Sequence, residues 1–159
     1  MAKIDISPIE KEYAKIKKAH DLPAFKELDK EFELSVIEVK PFLVRAIRRR
    51  MNDKVIFFCR IIEGLLYPHE KSHIHAYESS FFNEQQKEQL TITHKKIMLL
   101  ERDSLLLDID SNEEQDARYI RDLAKDWKQF KQTTTQAVLI MKKAWETPQK
   151  EEKGGAYFG

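Results

Sequence analysis

Residues Ile120, Leu123, Trp127, Phe130, Thr134, Ala137, Met141 and Ala144 recur at alternating steps of three and four, with no phase slip over four heptads. That spacing belongs to one long helix laid lengthwise against others, slightly under-wound toward a left-handed supercoil. It commits the chain to helix-on-helix packing. Ser111-Asn112-Glu113-Glu114 supplies a capping residue and first-turn acids at its start, and Pro148 stops it. Thr133-Thr134-Thr135 lowers helix propensity through β-branching, so a kink near 130–135 is the alternative to a continuous helix. The same seam can serve a second copy, which leaves self-association through residues 120–144 open.

The rest of the chain carries helix signals in series. Ser7-Pro8-Ile9-Glu10 combines a cap, a first-position proline and a capping-box glutamate. The stripe Ile9, Tyr13, Ile16 runs to about His20, and a second short helix with Ala24, Phe25, Leu28 and Phe32 inward follows Asp21. Residues 33–40 read equally as helix or extended chain. From Pro41 to about Tyr67, Val44, Ile47, Met51, Val55, Phe58, Ile62 and Leu65 form the inner face of a long helix. Residues 68–83 lack periodicity and read as an irregular segment. Asn83-Glu84-Gln85-Gln86 opens a further helix to about Asp108. Between Ile97 and Ile109 its apolar residues go almost all round, which predicts a central, enclosed helix.

The expected fold is therefore an all-α, five- or six-helix, mostly antiparallel bundle with long central helices. Residues 1–148 form one domain, and the charged, then glycine-rich segment 149–159 a mobile tail. With 35 % charged residues, only 4 glycines and 5 prolines, the composition suits long helices with solvated outer faces. A net charge of +1 excludes a strong non-specific field toward nucleic acid or acidic membranes. No apolar run has membrane-spanning length, and the first residues lack the apolar core of a secretory signal. Cys59 is the one cysteine, so no internal disulfide forms. A cytoplasmic address and no membrane partner are the expectations.

Charge is concentrated locally. The stretch 41–67 sets Arg45, Arg48, Arg49, Arg50, Lys54 and Arg60 against only Asp53 and Glu63. Arginines on one exposed helix face hold phosphates bidentately, so this set is the candidate site for a polyanion or an acidic partner. Helical spacing puts Arg45, Arg49 and Arg60 opposite the apolar face and Arg48 and Arg50 on its flanks. The plainer alternative is a solvated face paired with acids between Glu27 and Glu38 or between Asp103 and Asp110. Tyr157 and Phe158, at the end of the tail, have the form of a short docking peptide.

His69-Glu70-Lys71-Ser72-His73 spells H-E-x-x-H, which on a helix sets two histidines on one face for zinc, with the glutamate as base. Pro68 would put the first ligand in the first turn. Lys71 stands where such helices carry an apolar residue. The segment reads as a solvent-facing polar loop, and no metal or other cofactor is expected; His69, His73 and His75 are the residues that would hold one. Glu70-x-x-His73 is half of a di-iron motif with no second half. No G-x-S-x-G and no glycine-rich phosphate loop occurs, and Cys59 reads as a buried, inert thiol.

The Arg-rich helix, its loop and the helix entered through Ser79-Ser80-Phe81-Phe82-Asn83-Glu84-Gln85-Gln86 resemble the helical domain of the GINS replication subunits, over about half the chain. The 36-residue heptad region and the lack of a small β domain depart from that family, and no residue role is carried over. The functional expectation is a non-enzymatic interaction or adaptor protein that binds a protein partner. The alternatives are a nucleic-acid-associated protein, in a replication or other nucleoprotein complex, and a metal-binding protein at the histidine-rich segment.

Overall fold

The computed structural model describes residues 7–39 and 41–148. They form six α-helices and no strand: α1 (Pro8–His20), α2 (Phe25–Phe32), α3 (Leu43–Leu66), α4 (His73–Ser79), α5 (Glu84–Ile109) and α6 (Glu113–Glu146), with a 3-10 turn at Leu34–Val36. No helix among the described residues is long and apolar enough to cross a membrane. Tyr157 and Phe158 lie outside the described residues.

The helix starts follow the capping chemistry in the sequence. The Ser7 hydroxyl accepts from the Glu10 amide, and Asn112 accepts from the Gln115 amide at 3.0 Å. At α5 the box is reciprocal: the Gln86 amide donates to Asn83, and the Asn83 amide donates to the Gln86 side chain, at 2.8 and 2.9 Å. α1 and α2 end on Asp21 and Glu33 in the left-handed region, each cap amide reaching back into the last turn.

α3, α5 and α6 pack on one another, and α3 lies against both of the others. A three-residue joint turns α5 back into α6, so those two are antiparallel. Cross-contacts give the other directions. Arg48 meets Ser104 and Asp108 while Cys59 meets Met98, so α3 and α5 are antiparallel. Arg48 also meets Asp116, and Phe58 stacks on Trp127 (4.8 Å, 10°), so α3 and α6 are parallel. The α3 face of Val44, Ile47, Met51, Val55 and Ile62 meets the α6 seam of Ile120, Leu123, Trp127 and Phe130, all buried. Trp127 is additionally tilted against Phe32, and its Nε1 donates to Glu31 at 2.9 Å, which fastens α2 to the bundle.

Two expectations are corrected, and the choice left open at 130–135 is decided for the continuous helix. α6 is unbroken through 130–135, because Thr133 and Thr134 are buried and packing outweighs their propensity. Along 120–144 the seam residues Ile120, Leu123, Trp127, Phe130, Thr134, Ala137 and Ala144 are buried within this chain's own fold. The segment 68–83 contains α4, whose Ser72 cap accepts from the His75 amide. α4 is fixed by polar bonds rather than an apolar stripe: Tyr77 Oη donates to the Ala144 carbonyl, Ser79 Oγ to the Leu65 carbonyl, and Trp145 Nε1 to Glu78, each at 2.8 Å. Finally, α3 is the central helix. α5 turns Leu90, Ile97 and Leu107 inward and leaves Leu99, Leu105, Leu106 and Ile109 exposed.

The amino-terminal helix is held by charge as well as by Ile9 and Tyr13. The His20 ring sits between Glu113 (Nε2···Oε1 2.8 Å) and Glu114 (Nδ1···Oε2 2.9 Å). Its backbone carbonyl accepts from Arg121. The Glu114 bond, then the Glu113 bond, raises the imidazole pKa above its ordinary value.

Candidate interaction surface

The arginine set does not form one open face. Arg48 is fully buried. Its Nε donates to Asp116 at 2.8 Å, Nη1 to Ser104 Oγ at 2.7 Å and the Ser104 carbonyl at 3.3 Å, and Nη2 to Asp108 at 2.6 Å. It is removed from the candidate site: its planar fork closes the start of α3 against both α5 and α6 and presents nothing to a ligand. Arg49 adds a second bond to Asp108 at 2.9 Å, and Arg48, with Arg49 behind it, holds the Asp108 carboxyl below the usual carboxylate range. Arg50 donates to the Phe32 carbonyl at 3.1 Å and to Glu33 at 2.7 Å. Arg45 lies over the Phe42 ring at 5.0 Å. Lys54 and Arg60 have no carboxylate partner among the described residues. Most of the +4 excess of this stretch is thus met by the chain's own acids.

The histidine-rich segment is also divided. His69 and Glu70 precede α4, whereas His73 and His75 are inside its first turn, so the two H-E-x-x-H histidines do not share a helix face. His69 Nδ1 accepts from the Lys71 amide at 3.2 Å, and the His75 ring covers Gly64, where an added Cβ would sit 3.3 Å from it.

The surface that sequence reasoning missed is the outer side of α5. Ile92, Leu99 and Leu106 repeat every seven residues, with Ile109 one turn beyond, roughly opposite the inward Leu90, Ile97 and Leu107. Leu99, Leu106 and Ile109 are 69 %, 63 % and 82 % exposed. The inward face, by contrast, spends buried positions on Thr93, His94 and Ser104. The signal was present as apolar residues all round the helix. One helix cannot enclose two opposite stripes in a three-helix layer, and the outer one remains in water.

Beside this stripe, the end of α5 and the start of α6 border a groove of about 530 Å³. Leu100, Leu106, Leu107 and Ile109 give it apolar walls, and Asp103, Asp110 and Asp122 ring it. Arg118 is the one basic residue of its lining and is already paired with Asp122 at 3.6 Å. The groove therefore joins exposed apolar area to net negative charge.

No protein-family model matches the chain, and no curated protein or solved structure is significantly similar to it.

Proposed function

We propose that this chain is a non-enzymatic interaction protein whose α5 stripe and adjoining groove receive an amphipathic helix of a partner protein, one with basic residues beside its apolar stripe. The observation that carries the reading is a second apolar face on α5, in heptad register, with no element among the described residues over it. Aliphatic side chains at such spacing are the anchors of helix-in-groove recognition. Asp103, Asp110 and Asp122 select the charge of the occupant and speed its approach. The nucleic-acid alternative draws on arginines of which Arg48 is enclosed and Arg49 and Arg50 are paired within the fold, so it has the weaker support.

The test uses two designed amphipathic peptides with the same leucine heptads, one flanked by lysines and one by glutamates. The lysine peptide should bind and the glutamate peptide should not. Each buried leucine side chain contributes about 1.5–3 kcal/mol, so Leu99→Lys with Leu106→Lys should weaken binding by about a hundredfold or more. Unchanged binding in that variant, preference for the acidic peptide, or a stripe already covered by a stable homodimer in light scattering would each refute the proposal.

A further inference from the structure

Halfway along the α3–α5 contact, three different metal-binding side chains converge. Cys59 and Glu63 are four residues apart on α3, and His94 and Met98 four apart on α5, so each pair shares a helix face. Antiparallel packing brings the pairs together. His94 Nε2 lies 3.2 Å from Glu63 Oε1, and the Cys59 thiol points at the Met98 sulfur, 3.7 Å away. One donor atom each from Cys59, Glu63 and His94 all lie within 4.8 Å of one another. A tetrahedral zinc ion, with bonds of about 2.0–2.3 Å, holds its ligand atoms roughly 3.3–3.8 Å apart. Side-chain shifts of about 1 Å close the set.

We infer that Cys59, Glu63 and His94 form a zinc(II) site with three protein ligands, its fourth position opening toward solvent beside Glu63. Burial gives the site a floor and a mouth: Cys59 and His94 are buried, while the Glu63 side chain is 46 % exposed and offers an entry path. The Tyr67 ring meets the His94 ring edge-on at 5.7 Å and restrains its orientation. The donors fit the ion by type, since thiolate, imidazole and carboxylate are the three zinc ligands proteins use. They also fit it by charge. The thiol proton leaves to solvent on binding, and the resulting thiolate and carboxylate balance a divalent ion. Monovalent copper would leave one negative charge of the ligand pair uncompensated. Met98 packs on the sulfur and is outside the proposed ligand set.

The experiment titrates the reduced, tag-free chain with cobalt(II) and then zinc(II). One cobalt per chain should produce a thiolate-to-metal charge-transfer band and the intense visible absorption of four-coordinate cobalt, and one equivalent of zinc should bleach both. Cys59→Ala should abolish the charge-transfer band, and His94→Gln should lower zinc affinity about a hundredfold or more, exceeding the usual loss for an outer-shell partner. Met98→Leu, and His69→Ala combined with His73→Ala, should leave the band intact. No band, a band surviving Cys59→Ala, or a band lost in Met98→Leu or the His69/His73 variant overturns the assignment. If a core variant fails to fold by circular dichroism, the wild-type band and zinc protection of the native thiol from alkylation decide the matter.

Discussion

Replacing Arg48 with methionine is the sharpest probe of how the three long helices are locked. Methionine approximates the aliphatic stem, so packing changes little and the charge is removed. What remains is uneven. Asp108 is 39 % exposed and keeps Arg49 at 2.9 Å, so its share of the loss stays within about 1 kcal/mol. Asp116 is 1 % exposed, and its other bond is a long one from the Ser111 hydroxyl at 3.4 Å. A buried carboxylate deprived of its partner costs about 3–5 kcal/mol, a large fraction of the 5–15 kcal/mol typical of a folded domain. The melting temperature should fall by roughly 6–20 °C at this chain length. Urea melts near neutral pH should show an unchanged slope and a lower midpoint. Adding Asp116→Leu to Arg48→Met should restore much of the loss, with a coupling energy of about 2 kcal/mol or more across the double-mutant cycle. A loss below about 1 kcal/mol for the single variant, or an additive cycle, would refute the reasoning and mean that water solvates Asp116 in the native fold.

Trp127→Ala should destabilise the fold by about 3–5 kcal/mol, since it empties the place where Phe32 and Phe58 meet and leaves Glu31 without its indole donor; denaturant melts showing less than about 1 kcal/mol would contradict the buried seam. The His20 clamp should show its own pH dependence. Its folded pKa is raised above 6.5, so its contribution is complete below that value and is lost as pH rises through the folded pKa. Melting temperatures of wild type and His20→Gln should therefore differ at mildly acidic pH and converge at alkaline pH, and a gap that widens with pH would reverse the assignment.

What the sequence disclosed was what lies within one helix. The α6 seam, the inner face of α3 and the caps at Ser7, Asn83 and Asn112 each depend on residues within a few turns of one another. What it withheld depends on register between helices. Arg48 lies on the flank of α3 by spacing alone, and only the placement of Ser104, Asp108 and Asp116, more than fifty residues away, makes it an interior residue. Cys59 and His94 belong to unrelated local patterns, and no periodicity says that α3 and α5 align them. α5 defeats pattern reading in the opposite way: with apolar side chains on two opposite faces, its sequence does not say which face is covered. α4 was invisible because it is held by hydroxyl and carboxylate bonds and one aromatic contact to distant groups, which leave no apolar period.

Helix ends are ordinarily a local affair, written in the residues just beyond the last turn. The carboxyl end of α6 is different. At about 1.5 Å per residue, its 34 residues extend some 12 Å further than the 26 of α5, so its last turns outrun their long neighbour. The carbonyl of Ala144 is among those a helix cannot satisfy from within. It is taken by the hydroxyl of Tyr77, 67 residues earlier in the chain, while the Tyr77 ring lies 4.8 Å from that of Trp145. Pro148 stops the helix locally, and the partner for the carbonyl it leaves open comes from another segment. The Tyr77 hydroxyl, the Glu78 carboxylate and the Tyr77 ring thus tie α4 to the last turn of α6, so loosening either one removes partners of the other.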